Sequence, residues 1–188
     1  MKNKIILITG KQGSGKSTMA DRITECMKPR IPFRRLKFAD VIYEMHDAVL
    51  EIAEIHGIAS PGIDGPLLQL LGTEWGRKTR GENIWVGVAL GRVDRFHRAN
   101  PEGIVLIDDA RFLNELAAFP DAITVRLTAS DEVRKIRCGT KWRPNTEHAS
   151  EVGLDVLDDS LFTHVFDTTD YPDLGPVIEQ ILAEVHTS

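Results

Sequence analysis

Lys4-Ile5-Ile6-Leu7-Ile8-Thr9-Gly10-Lys11-Gln12-Gly13-Ser14-Gly15-Lys16-Ser17-Thr18 is the stretch whose reading decides the fold. Its opening, Lys4 to Thr9, is a short and nearly continuous apolar run, as expected of a central parallel strand covered on both faces. Gly10 to Ser17 then matches G-x-x-x-x-G-K-[ST] at every fixed position, and Met19, Ala20, Ile23 and Met27 follow at helical spacing. In this order of strand, loop and helix, the glycines turn backbone N–H groups toward one point, and the helix presents its positive end there. The expected result is a socket for the phosphates of ATP, built from Gly10, Gln12, Gly13, Ser14, Gly15, Lys16, Ser17 and Thr18. Lys16 is expected to bridge the β- and γ-phosphates, Ser17 to ligate magnesium and Thr18 to meet the α-phosphate. The competing reading is a glycine turn that only joins a strand to a helix.

Outward from this loop, Pro29 and Pro32 end the first helix, and Phe33 to Ala39 alternates as a second strand. Asp40 is placed to cap a helix in which Ile42, Met45, Val49 and Ile52 share one face. Gly57 to Gly65 reads as a loop, and helices follow over about 67–80 and 84–98. Gly103 to Ile107, Ala122 to Leu127 and His164 to Phe166 read as further strands. Ser130 caps another helix, with Asp131 and Glu132 at its positive end, and Val177, Ile178, Ile181, Leu182 and Val185 line a closing one. Strands alternating with helices predict an α/β fold with a parallel sheet wrapped on both faces.

The 188 residues suit one domain. A net charge of -5 and a pI near 5.7 argue against a protein that coats a polynucleotide, so any anion site must be a local cluster of cations. No tract is long enough to span a membrane, and the N-terminal stretch lacks a signal-peptide cleavage site. The two cysteines are far apart and in no metal-ligand spacing, Cys26 reading as a small core residue and Cys138 as an ordinary thiol. The expectation is a reduced, cytoplasmic protein.

A site for a second substrate is sought in Leu67 to Arg80. At about 100° per residue, Gln69, Thr73, Arg77 and Arg80 fall in one sector, opposite Leu67, Leu68, Leu71 and Trp75. Gly72 and Gly76 lie beside the polar stripe and weaken the helix, which predicts that something approaches the backbone closely. Arg77 and Arg80 suit the monophosphate of an acceptor, the alternative being a solvated helix face. Arg134, Arg137 and Lys141 form a second cationic stripe, with Arg143 just beyond, beside a polar stretch from Gly139 to Gly153 that reads as a mobile flap and candidate lid. The strand at Gly103 to Ile107 ends in Asp108 and Asp109; pattern alone leaves open which carboxylate serves the magnesium shell, and whether either caps the next helix.

Together, GKQGSGKST, the FAD of Phe38 to Asp40, LLQLLGTEWGR followed by Asn83 to Val86, the IDDARFLNE of Ile107 to Glu115 and the HASE of His148 to Glu151 resemble the bacteriophage-type deoxynucleoside monophosphate kinases, within the nucleoside monophosphate kinase fold. The resemblance implies a three-layer P-loop fold with about five parallel strands. It also implies a core over about 1–39, 100–130 and 160–188, a helical acceptor-binding region over about 40–99 and a lid over about 134–154. The activity implied is transfer of the γ-phosphoryl of ATP, with Mg2+, to a deoxynucleoside monophosphate, with Lys16, Arg77 and Arg137 catalytic and Arg134 and Lys141 on the ATP side. Asp40, Gln69, Thr73, Arg77, Arg80, Trp85 and Arg111 are expected around the acceptor, Trp85 either stacking on a base or lying in the core. Asp109 matches the family's acidic residue better than Asp108. His148 and Glu151 match without an assigned chemistry. Another small phosphorylated acceptor, or a nucleotide-hydrolysing switch, are the competing functions; no polynucleotide or membrane partner is expected, and the chain is expected as a monomer or homodimer.

Overall fold

The computed structural model describes residues 4–27, 31–59, 62–142, 154, 157–170 and 173–187. Five parallel strands, β1 (Ile5–Thr9), β2 (Phe33–Leu36), β3 (Ile104–Ala110), β4 (Ile123–Thr128) and β5 (His164–Asp167), lie in the order β2-β3-β1-β4-β5. The apolar run makes β1 the central strand, buried along its whole length. Period-two alternation sends its side chains into two cores. Ile6 and Ile8 join Ile104, Leu106, Val125 and Leu127 under α1 (Lys16–Met27) and the C-terminal helix α7 (Gly175–Thr187). Ile5 and Leu7 join Val105 and Ile107 under α4 (Ile84–Ala99), which contributes Val86, Ala89 and Val93. The three-layer α/β architecture is therefore the expected one. Among the described residues no helix is long and apolar enough to cross a membrane.

Local structure departs from expectation at several places. β2 stops at Leu36 because the N–H groups of Phe38 and Ala39 bond to Asp109 rather than continuing the ladder. Asp40 is the first residue of α2 (Asp40–Ile55), not its cap; Ala39 holds the cap position, and the Asp40 carboxylate accepts the N–H of Lys37 at 2.8 Å. The face proposed for α2 is only partly covered, Ile42 and Met45 being half-buried and Val49 and Ile52 exposed, and His46 is its one fully buried side chain. Cys26 is exposed rather than in the core. The segment expected as one helix over 67–80 is a short α3 (Gly65–Gln69), capped by Asp64, running into a π-helix over Leu70–Arg80. Its i→i+5 turns are wider than α-turns, so the stripe drawn at about 100° per residue does not survive.

Candidate functional site

β1 delivers Gly10 to the carboxyl end of the sheet, and α1 starts at Lys16, with the Met19 N–H bonded back to Gly15 O at 3.0 Å. Gly10 has φ 143°, and a side chain there would bring its Cβ to 2.3 Å from Leu127 O. Gly13 has φ 79°, and its Cβ would meet Arg134 O at 2.8 Å. Both must therefore be glycine for β4 and the helix after it to close on the loop. The Ser14 N–H bonds Lys11 O at 3.2 Å, and Ser14 itself is buried. The Lys16 ammonium donates to Gly10 O and, at 2.8 Å, to Lys11 O. Ser17 and Thr18 stand exposed in the first turn of α1, where backbone N–H groups lack intrahelical partners.

The helix α6 (Asp131–Cys138) braces this loop. Ser130 caps it as expected, accepting the Val133 N–H at 3.4 Å. Arg134 is buried; it donates to Gln12 O at 3.1 Å and to Asp131 at 2.6 Å, a bond that holds the Asp131 carboxyl below its usual range. Arg137 donates to Gly13 O at 3.2 Å and to the hydroxyl and carbonyl of Thr168 at 2.8 and 2.5 Å. The Thr168 hydroxyl in turn donates to Ser14 O at 3.0 Å. Arg134 and Arg137 are thus bonded to P-loop carbonyls. Thr168, just past β5, was not singled out in the sequence, because nothing in Asp167-Thr168-Thr169-Asp170 marks a residue that meets the P-loop from 154 positions away. The Lys141 side chain and the flap residues 143–153, with Arg143, His148 and Glu151, lie outside the described residues, so most of the lid region does as well.

Two cavities flank the loop. One, of about 510 Å3, is lined by Gly13, Gly15, Lys16, Ser17, Thr18 and Arg137, together with Arg22, Thr168 and Leu174. The other, of about 410 Å3, opens between Gly10 and Lys11 and the cations Arg111, Arg126 and Arg134. Lys16 lines the first cavity while its ammonium bonds carbonyls of two residues that line the second.

Strand alternation separates the two acids at the end of β3. Asp108 turns toward α1, pairs with Arg35 and is buried; Arg35 also reaches Asp21 of α1 at 2.6 Å, and the Asp108 Oδ1 atom has no partner. Asp109 turns the other way and accepts the N–H groups of Phe38 and Ala39 at 2.9 and 3.1 Å. Burial, opposed by those two bonds and reinforced by the charges of Glu115 and Asp108, raises its pKa to about 6. Asp109 thus ties the β2–α2 turn and caps no helix after β3. Among the described residues no cluster of acids, histidines and cysteines could hold a metal alone. A magnesium ion brought with a triphosphate suits the hydroxyl of Ser17 and the unpartnered buried oxygen of Asp108, both hard oxygen donors on the α1 side. Both oxygens of Asp109 are already occupied.

The residues expected around an acceptor are only partly brought together. Arg77 donates to buried Glu115 at 2.9 Å and lies over the Phe112 ring at 4.1 Å. The other Glu115 oxygen accepts the N–H groups of Arg111 and Phe112 at 2.7 and 3.1 Å. Burial raises the Glu115 pKa against the pull of these bonds. Trp85 is a core residue and not a platform for a base: it is 3% exposed, and its indole N–H bonds Gly72 O at 2.8 Å. It also explains a glycine, since a Cβ on Gly76 would sit 2.4 Å from the Trp85 ring. The close approach that Gly72 and Gly76 foretold is made by Ile42 and Trp85 of the same chain. Arg80 is exposed and stacks on Trp75, Gln69 is exposed, Thr73 is half-buried, and Asp40 lies 3.7 Å from Arg92. Of the expected acceptor set, Arg111 alone lines either cavity beside the P-loop. Glu115, which joins Arg77 to the backbone of Arg111, was missed; its place four residues beyond Arg111, on the short helix α5 (Leu113–Ala117), was the available signal.

No protein-family model and no curated protein matches the chain. Among solved structures it is similar to a gluconokinase from Sinorhizobium meliloti 1021, at 18% identity over 99% of this chain and 93% of that one, with a TM-score of 0.51. It is likewise similar to TT1252 from Thermus thermophilus, at 21% identity over 96% of each chain, with a TM-score of 0.53. At such identities the likeness is one of fold: this chain shares the three-layer α/β fold of those proteins, the P-loop at the end of its central strand.

Proposed function

We propose that the protein is a P-loop kinase that moves the γ-phosphoryl group of ATP to a small phosphorylated acceptor, a deoxynucleoside monophosphate on the reading its sequence motifs favour. The observation that carries this is the position of Lys16 between two cavities, one bounded by the α1 N-terminus and the other by Lys11, Arg111, Arg126 and Arg134. The triphosphate is assigned to the first, where the N–H groups of Gly13 to Thr18 and the Lys16 ammonium meet its oxygens. The acceptor phosphate is assigned to the second. An acceptor oxygen attacks the γ-phosphorus in line as the bond to the β-bridging oxygen breaks, and Lys16 neutralises charge on the transferred group. Ser17 and Asp108 would hold a magnesium ion arriving with the nucleotide, which would add charge neutralisation at the phosphates. Arg137 positions the loop through Gly13 O, and Arg77 supports Arg111 through Glu115.

A second reading is suggested by the gluconokinase likeness, in which an alcohol would accept the phosphoryl group. An alcohol needs a base to take its proton, whereas a phosphate oxygen is already anionic. Asp109 has the pKa for such a base but holds the backbone of Phe38 and Ala39 with both oxygens, which favours the phosphate acceptor. Release of ADP from ATP and Mg2+, measured across deoxy and ribo monophosphates and gluconate, tests the proposal. The expected result is turnover dependent on a monophosphate. Turnover with gluconate alone, or ATP hydrolysis indifferent to every acceptor, would overturn it.

A further inference from the structure

β2 is an edge strand, separated from β1 by β3, and beside it runs a groove of about 400 Å3 remote from the P-loop cavities. One wall carries Arg34 and Leu36, which share a face of β2; the other carries Arg92, Arg95 and Phe96, spaced i, i+3 and i+4 on one face of α4. Arg92 is held in place by the Glu44 carboxylate at 2.7 Å and by Asp40 at 3.7 Å. The Arg34 and Arg95 side chains are exposed and make no hydrogen bond or ion pair among the described residues. Glu44 also lines the groove and is paired with Arg92, so Arg34 and Arg95 leave the lining with an excess of positive charge in a chain whose net charge is -5. Half-buried Phe96 lines the groove among these polar side chains, with buried Leu36 beside it.

We infer that this groove binds a phosphate monoester with an apolar or aromatic body, at a site separate from the one that handles the transferred group. Two planar forks can each donate two N–H groups to phosphate oxygens, and the Phe96 ring offers the organic part an aromatic contact. The locked Arg92 links the groove to Asp40 and so to the Lys37 N–H at the β2–α2 turn. The next two N–H groups of that turn are held by Asp109 at the end of β3.

Phenyl phosphate and inorganic phosphate serve as probes, titrated calorimetrically into the full chain carrying Lys16→Ala, which weakens phosphate binding at the P-loop. Phenyl phosphate should bind at one site and several-fold more tightly than inorganic phosphate. Arg34→Ala with Arg95→Ala should weaken it at least tenfold without changing Tm, and Arg34→Lys with Arg95→Lys should restore only part of the loss. Backbone NMR shifts should fall on residues 34–36 and 92–96. Equal affinity with and without the two arginines, or shifts confined to residues 10–18, would overturn the assignment.

Discussion

Replacing Arg77 by alanine removes one half of an ion pair whose other half stays buried. The Glu115 side chain is 3% exposed and that of Arg77 22%, so water reaches the arginine but not the carboxylate left behind. Breaking a buried pair costs about 3–5 kcal/mol, and partial exposure of Arg77 puts this case at the low end, about 3 kcal/mol. For a chain of this length that corresponds to a fall in Tm of about 6–12 °C. The loss should be larger at high pH, where Glu115 is ionised, than at low pH, where it is protonated. Glu115 has a folded-state pKa above its ordinary value, and removing Arg77 raises it further, so the variant is least penalised where the acid is protonated and loses stability as pH rises through that pKa. Arg77→Ala combined with Glu115→Gln should recover about 1–2 kcal/mol over Arg77→Ala alone, since no uncompensated charge remains and the amide oxygen still accepts the Arg111 N–H. Acceptor kcat/KM should fall about tenfold as that backbone loosens, with the KM for ATP unchanged. Lys78→Ala is the control: its pair with Glu74 is an exposed i, i+4 bridge, worth about 0.3–0.5 kcal/mol. Thermal unfolding followed by circular dichroism, beside steady-state kinetics, reads all of this. An unchanged Tm in Arg77→Ala together with a raised acceptor KM would refute the reasoning and make Arg77 a direct grip on the acceptor.

Lys16→Ala should lower the rate of transfer by about a hundredfold or more while Tm moves little, because the ammonium donates to the loop carbonyls of Gly10 and Lys11 and belongs to neither hydrophobic core; a rate above about a tenth of wild type would remove Lys16 from the chemistry. Gly76→Ala forces a methyl group onto the Trp85 ring and Leu71 O, at 2.4 and 2.7 Å, and should cost about 1–3 kcal/mol in urea unfolding. Asp109 holds its proton more tightly folded than unfolded, so its share of stability is complete below its unfolded pKa and is lost as pH rises through about 6. The shift from 3.8 to about 6 is on the order of 3 kcal/mol, and Asp109→Asn should flatten the wild-type decline in stability across that window.

What was legible in the chain was what short-range rules determine. The P-loop, the buried central strand and the Ser130 cap each depend on residues within a few positions of one another, and each lies where the pattern put it. The candidate acceptor helix failed at a different level. The stripe through Gln69, Thr73, Arg77 and Arg80 assumed α-helical rotation, and rotation is set here by packing: Trp85 and Ile42 press on Gly76 and Gly72 as the segment winds with i→i+5 turns. A glycine signals that something comes close, but not whether the visitor is a ligand or the protein's own tryptophan.

The acids at the end of β3 carry the same lesson further, because their roles depend on which face each one meets. Alternation alone sends Asp108 and Asp109 to opposite sides, and this much follows from the sequence. What each side holds is long-range: Arg35 and Asp21 of α1 on one, the N–H groups of the β2–α2 turn on the other. Resemblance favoured Asp109 for the magnesium shell, yet each of its oxygens already accepts a backbone N–H of the β2–α2 turn, so a cation there would have to share both oxygens with those bonds. Asp108 keeps one buried oxygen without a partner, and such an atom is costly unless something comes to meet it. Asp108→Asn should therefore weaken magnesium-dependent nucleotide binding more than Asp109→Asn does, when ADP is titrated with and without Mg2+. The reverse order would return the metal shell to Asp109, with its oxygens shared between the cation and the N–H groups of Phe38 and Ala39.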